Sequence, residues 1–579
     1  MKKNLLQHWP LYASVLVLSL LLWLILAVSL SRNQGHLVYA LDDAYIHMAM
    51  ARNVSHYGVW GVTRYGFTSS SSSLLWTLLL SLTYYFLGVS QIAPLLVNLL
   101  LAVLVLLVAD AILGWYKVRR ALTFVALLAI IFLTPLPALI LAGTEQILQT
   151  LLAMLVTFVA AQVISGERRG STSRNTILLF VLAPLVTAVR FEGMFLILAI
   201  GSVFLLRRRW LYALAFAICG FLPVLLYGII SVSHGWFWLP SSVLLKGVMP
   251  DLTSLSSLFF SLAVSAFANL YKALHTFVLL IAVLLVYALA SGKGRGAWES
   301  RQLMGAILLL TAVPHVEFIQ VGPLFRYDAY LFILGVVFIT AQLPTIVPGL
   351  PTQVSLDTGL VPGDFAASGA DLKVGATSAA GNKDGDTPAL RRELAPKYLA
   401  AGALALLLLF PLIVKGSRLL WLLPQCTTDI YEQQYQMGLF VDKYYQGSTV
   451  ALNDVGAVNF LADIHCLDLW GLANRDVTRL KREYNYHTQV IARLSRQAGA
   501  RIAIVYDFWY GGRVGGLPPE WIRVGQWTVP NNVILGGDTV SFYALDPSEV
   551  SRLMGCLRDF SPRLPPDVIQ SGSYVEGGE

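Results

Sequence analysis

Long apolar runs separated by short basic tracts fill the first two-thirds of the chain. Runs of spanning or near-spanning length occupy about 11–30, 91–114, 121–142, 146–165, 176–189, 194–206, 211–232, 273–291, 302–320, 329–347 and 398–414. A hydrocarbon core of about 30 Å takes about 20 apolar residues of helix, so these runs predict a polytopic α-helical membrane protein with about 11 transmembrane helices. The stretch 74–88 is apolar but only 15 residues long. Counting it as a span would put the later basic tracts on the wrong side, so it reads as a helix in the interface, with Trp76, Tyr84 and Tyr85 at headgroup level. The runs 176–189 and 194–206 are also short, and a re-entrant pair meeting at Arg190-Phe191-Glu192-Gly193 stays open without changing later parity.

Charge placement orients the spans. With the N-terminus inside, the inside connections hold Lys117-Arg119-Arg120, Arg168-Arg169-Arg174, Arg207-Arg208-Arg209, Lys293-Arg295-Arg301 and Arg391-Arg392-Lys397. The outside connections hold few cations, which is the positive-inside pattern. It predicts a multi-pass plasma-membrane protein, with domain 1–347 carrying an external loop at 31–90. Residues 348–396, rich in Gly, Pro, Ser, Ala and Asp, bury too little to fold and predict a disordered cytoplasmic linker before the last span at 397–419. From 420 to 579 the pattern changes. Strand-like runs at 448–452, 501–506 and 539–545 and helical runs near 429–444, 484–498 and 547–560 predict a soluble, extracytoplasmic α/β domain.

Composition agrees. At 56% hydrophobic, 13% charged and a mean hydropathy of +0.66, the chain is too apolar for an ordinary soluble domain. The net charge of +8 is broken into loop tracts, which argues against a nucleic-acid partner. Lys2-Lys3 ahead of 11–30 has the look of a signal peptide, but the run is wide enough to remain as a first span. Of four cysteines, Cys219 is in an apolar run, while Cys426, Cys466 and Cys556 fall in the outer domain. Three pairings are open there, and Cys426 with Cys556 would tie the domain's ends. No zinc-site spacing occurs.

Parity puts Asp42, Asp43, His47, Arg52, Glu145, Arg190, Glu192, Lys246, His315, Glu317, Arg326 and Asp328 at the outer face. Ionisable groups beside hydrocarbon are costly unless solvated or paired, so their gathering at one level predicts a polar cavity. Each also has a plainer role. Asp42 and Asp43 can cap the helical stretch 44–51, Glu145 can cap 146–165, Arg190 and Glu192 can pair with each other, and Lys246 and Arg326 can snorkel.

The order Asp42-Asp43-Ala44-Tyr45-Ile46, Gly66-Phe67-Thr68-Ser69, Leu75-Trp76-Thr77, Ala142-Gly143-Thr144-Glu145, Arg190-Phe191-Glu192-Gly193, Leu239-Pro240-Ser241-Ser242 with Lys246, Phe325-Arg326-Tyr327 and Asp454-Val455-Gly456-Ala457 resembles the bacterial GT-C glycosyltransferases. The twin-Asp loop and external C-terminal domain resemble in particular the mycobacterial terminal arabinofuranosyltransferases. The chain departs from the commoner pattern at Ala49 and Met50, where many relatives have Arg and Tyr.

The resemblance implies a polyprenyl-phosphate sugar donor, an outer-leaflet reaction, an envelope glycan, lipid or protein acceptor, and an external-loop Asp as base. On that basis Asp42 and Asp43 are the catalytic candidates. Lys246, Arg326 and Arg190 are candidates for the donor phosphate, and His47, Arg52, Glu145, Glu192 and Asp454 for the rest of the cavity. No cofactor is required, and a divalent cation held by Asp42, Asp43 and Glu145 is the less favoured alternative. Trp470, Trp509, Tyr510, Trp521 and Trp527 could stack on acceptor sugars, although core packing is expected for most of them. The rival functions are a lipid-linked substrate transporter or flippase and a non-catalytic envelope assembly protein.

Overall fold

A computed structural model describes residues 8–166, 172–246, 273–291, 299–319, 322–346 and 410–575, with 254, 256, 257 and 264. The chain runs through α1 (Trp9–Arg32), α2 (Asp42–Tyr57), α3 (Leu74–Leu87), α4 (Ala93–Trp115), α5 (Arg120–Leu133), α6 (Leu136–Ala142), α7 (Gln146–Ser165) and α8 (Thr172–Val189). It continues through α9 (Gly193–Leu206), α10 (Trp210–Ser233), α11 (Ser241–Lys246), α12 (Leu274–Ser291), α13 (Ser300–Phe318) and α14 (Ala329–Ile346).

Six of these, α1, α4, α7, α10, α12 and α14, are long and apolar enough to cross a membrane. A seventh span results if α5 and α6, bent by 44°, are one broken helix. Pro135 and Pro137 lie at that break, where each removes a backbone donor. The chain is thus a multi-pass helical membrane protein. The proposed linker at 348–396 and the first part of the last span lie outside the described residues.

Two features position the site. The first is α7, which runs through the bundle with most of its residues buried, so that Glu145 just ahead of it is enclosed. The second is α15, an unbroken helix over 410–444 with one π-helical turn at Tyr431–Tyr435. Its lower part is tied to the end of α1, where Thr428 donates to the Asn33 side chain at 2.9 Å. Its upper part enters the core of the next domain, where the Phe440 ring lies 5.7 Å from Trp527 and 5.4 Å from Phe542. One helix thereby fixes the two parts of the protein to each other.

The C-terminal part is built on β1 (Thr449–Leu452), α16 (Ala457–Leu461), β2 (His465–Asp468), α17 (Arg475–Arg482), α18 (Thr488–Ala498), β3 (Ile502–Val505), β4 (Ile522–Thr528), β5 (Thr539–Ala544), α19 (Val550–Phe560) and β6 (Ile569–Ser571). The sheet order is β2-β1-β3-β5-β4-β6, with β2, β1 and β3 parallel and the rest antiparallel. Ile502, Ala503, Ile504 and Val505 are all buried, as expected of a parallel strand covered on both faces.

The expected strands at β1, β3 and β5 are present. β2, β4 and β6 were not foreseen, because β2 carries a His and an Asp and β4 begins on exposed residues. The cysteines are free, so the Cys426 to Cys556 bridge does not form.

Candidate active site

A cavity of about 460 Å³ opens where one end of the helix bundle meets the carboxyl ends of β1, β2 and β3. Asp42, Asp43, His47, Glu145, Arg190, Glu192, Lys246, Arg326 and Asp454 all line it. Arg52 does not. It donates to the carbonyls of Phe460 (2.7 Å) and Asn459 (3.0 Å) and so secures the end of α16. That corrects its expected place in the cavity.

The first wall is the start of α2. Neither aspartate caps that helix, whose N-cap is Leu41 without a side-chain bond. Asp42 instead reaches across to the other domain, accepting the Gly456 N–H at 2.8 Å and the Ala457 N–H at 2.7 Å. Only glycine permits this approach, since a Cβ at Gly456 would lie 2.1 Å from the Asp42 carbonyl oxygen. Burial, together with the negative charge of Asp454, raises the Asp42 carboxyl to about 7 against the lowering effect of the two amides.

Asp43 faces the opposite environment. It accepts from Arg326 and from Lys246, whose Nζ lies 3.3 Å from Oδ2. Burial alone would raise it, but Lys246 and Arg326 hold it well below the usual carboxylate range. Adjacent residues thus have opposite protonation tendencies, which is the pattern that separates acid–base roles in active sites.

The second wall is a charged chain. Arg190 donates to Glu145 and, through Nε at 3.0 Å, to Glu192. Glu145 also meets His47 Nε2 at 3.3 Å, and His47 Nδ1 lies 3.1 Å from Thr77 Oγ1. Burial would raise Glu145, but Arg190 and His47 bring its carboxyl down to about 2. Glu145 therefore serves as an ion-pair partner rather than a helix cap, and Arg190 is spent on two carboxylates. The expected pairing of Arg190 with Glu192 is present, and Glu145 is a second partner. The guanidinium groups of Arg190 and Arg326 lie 4.5 and 4.9 Å from the Tyr327 ring centre.

The turn that presents Arg326 contains consecutive left-handed residues, Leu324 (φ 60°) and Phe325 (φ 54°). Such strain in non-glycine residues persists only where surroundings impose it. Here Lys415 sits 3.1 Å from the Phe325 ring centre. Asp328, just beyond, is bound by His275 (3.1 Å), Thr276 (3.0 Å) and His315 (2.8 Å).

The third wall belongs to the sheet. Asp454, directly after β1, accepts from Gln434 Nε2 and Tyr506 Oη, both at 2.9 Å. Gln434 sits in the π-helical turn of α15, a distortion often found at functional sites. Trp470 and Trp509 complete this wall, whereas Trp521 and Trp527 are buried in the domain core.

Gln434, Tyr327 and Tyr506 were not foreseen as site residues. Tyr327 belongs to the Phe325-Arg326-Tyr327 motif without having been given a role, and nothing in the sequence marks Gln434 or Tyr506. Among the described residues, no group of three or more His, Cys, Asp or Glu side chains is arranged so that it could hold a metal ion. Asp42, Asp43 and Glu145 each bind different partners.

A family described as a domain of unknown function (DUF8728) matches residues 428–543. No curated protein matches the chain. Among solved structures, ArnT from Cupriavidus metallidurans bound to undecaprenyl phosphate is similar at 11% identity and a TM-score of 0.49, over 92% of this chain and 98% of that one. The Archaeoglobus fulgidus oligosaccharyltransferase, in complex with Zn and sulfate, is similar at 10% identity and a TM-score of 0.41, over 90% of this chain and 73% of that one. At these values the likeness assigns no activity.

Proposed function

We propose that the protein is a membrane glycosyltransferase that moves a hexose or pentose from a polyprenyl-phosphate donor to an envelope acceptor at the outer face of the plasma membrane. The observation that carries this reading is the convergence of Asp42, Asp43, Lys246 and Arg326 on one cavity at the end of an apolar helix bundle. Lys246, Arg326 and Asp43 together carry one net positive charge. A sugar-phosphate-lipid diester carries one negative charge, so the donor phosphate balances the cluster, and the apolar helices offer its isoprenoid a groove.

The acceptor hydroxyl oxygen attacks the anomeric carbon as the bond from that carbon to the phosphate oxygen breaks. The electron pair leaves on phosphate, where Lys246 and Arg326 stabilise the growing charge. The hydroxyl proton passes to Asp42, whose carboxyl near 7 suits a base at neutral pH. Asp43, kept ionised, holds the two cations in place before the donor arrives. The anomeric centre inverts in one displacement, so a second carboxylate nucleophile is not needed. The scheme uses no cofactor, and a chelator is expected to leave transfer intact.

A transporter or flippase would need charges near the bilayer midplane and paired broken helices. Here the charged groups gather at one end of the bundle, beneath the sheet domain. The test is to feed radiolabelled sugar to cells producing wild-type protein or Asp42→Asn, then separate lipid-linked from glycan-linked label. The expected result is label trapped on lipid in the variant. Equal partition in both would refute the assignment.

A further inference from the structure

The carboxyl edge of the sheet carries a group of side chains that the displacement above does not use. Trp470 follows β2 and Trp509 follows β3. Both are half-buried and both line the cavity, with ring centres 4.4 Å apart and planes inclined at 49°. The other two tryptophans of this domain considered for stacking, Trp521 and Trp527, are enclosed in the core. Both rings pack on one side against the domain core and on the other border the charged cavity.

Their supports are rigid. Asp468, at the end of β2, accepts the N–H groups of Trp470 (2.7 Å), Gly471 (2.9 Å) and Ala473 (2.6 Å), fixing the loop that carries the first indole. Lys481 lies 3.5 Å from the Trp470 ring centre and donates to the Trp470 carbonyl at 2.9 Å. Trp509 Nε1 bonds the Gly536 carbonyl at 3.4 Å, and Tyr506 lies 5.1 Å from its ring. Beside the rings stand planar polar groups from the same edge, Asn453 and Asp454, with Gln434 from the π-helical turn. The Gln434 Oε1 atom is buried without a partner.

A ring with apolar C–H faces and a rim of hydroxyls matches this combination. The indoles meet the C–H face, and carboxylate and amide oxygens accept from the rim. The position also fits the chemistry. Asp42 binds the Gly456 and Ala457 amides, two and three residues beyond Asp454, while its neighbour Asp43 faces Lys246 and Arg326. An in-line displacement needs the incoming hydroxyl on the side of the sugar away from the phosphate. The sheet domain meets the aspartate pair through Asp42, and the two cations meet it through Asp43.

We infer that Trp470, Trp509, Asp454 and Gln434 form an acceptor subsite for a neutral carbohydrate, so that the acceptor is a glycan rather than a protein or a simple lipid. This rests on the transferase reading and narrows it to one acceptor class. It also places a carbohydrate-binding wall at the crevice where ligands bind open α/β sheets, outside the carboxyl ends of the strands.

The experiment uses the full chain in nanodiscs with two probes, undecaprenyl phosphate and an array of neutral bacterial envelope oligosaccharides. Wild type is expected to bind both. Trp470→Ala and Trp509→Ala are expected to lose oligosaccharide binding by about tenfold or more while keeping undecaprenyl phosphate, which also reports that they are folded. Trp470→Phe and Trp509→Phe should regain much of the signal. Binding of undecaprenyl phosphate with no oligosaccharide bound, or oligosaccharide signals unchanged in both alanine variants, would overturn the acceptor subsite and leave the donor reading standing. Failure of wild type to bind undecaprenyl phosphate would instead count against the transferase reading.

Discussion

Replacing Asp42 with Asn separates the docking bonds this side chain makes from the base role proposed for it. Both carboxylate oxygens accept backbone N–H groups, from Gly456 and Ala457. Asn retains one oxygen, so one amide loses its acceptor at a cost of about 1–3 kcal/mol, and the sheet domain docks less firmly. Loss of the base lowers the transfer rate by a further ~10²–10⁴. The pH profile distinguishes these effects. With the Asp42 carboxyl at about 7, about a tenth is ionised at pH 6 and about nine-tenths at pH 8. Wild-type kcat/KM should therefore rise about tenfold across that interval. The residual rate of Asp42→Asn should be flat. Asp454→Asn removes the like charge that helps raise Asp42, and the midpoint should move acidward. The assay is transfer from a lipid-linked sugar by the full chain in nanodiscs. An Asp42→Asn variant within about threefold of wild type, or one that keeps the wild-type pH slope, would refute the base assignment.

Three further outcomes follow from the same geometry. Lys246→Ala and Arg326→Ala each remove a charged hydrogen-bond donor worth about 1.5–3 kcal/mol, so kcat/KM for the donor should fall by roughly 10–100-fold, checked by donor titration. Arg190→Ala strands Glu145 and Glu192 and should destabilise the fold by about 3–5 kcal/mol, seen as a lowered thermal midpoint. The Glu145 carboxyl is depressed to about 2, so its ion pair contributes fully above the ordinary glutamate range, and that contribution is lost as pH falls from about 4.5 toward 2. Melts followed by tryptophan fluorescence should weaken over that window, and less so in Glu145→Gln.

Much of this was legible in the chain itself. Apolar periodicity and the basic loops marked the helices, and the rule that ionisable groups beside hydrocarbon must be paired or solvated predicted the gathering of Asp42, Asp43, Glu145, Lys246 and Arg326. What could not be read was pairing. An aspartate at a helix start looks like a cap for its own helix, yet Asp42 caps α16 some 400 residues away, because Gly456 allows the backbone to approach. The pairing of Arg190 with nearby Glu192 could be read from the chain, but its second carboxylate partner, Glu145, comes from the start of a different helix. Gln434 and Tyr506 were invisible because their role depends on a π-helical turn and on the order β2-β1-β3. Both arise only after the sheet has assembled on α15.

The most direct measurement is mass spectrometry of envelope glycans from cells lacking this protein, complemented with wild type or with Asp42→Asn. The predicted outcome is one sugar missing from one glycan, restored by wild type and not by the variant. Glycans unchanged by the deletion, or restored equally by Asp42→Asn, would contradict the account.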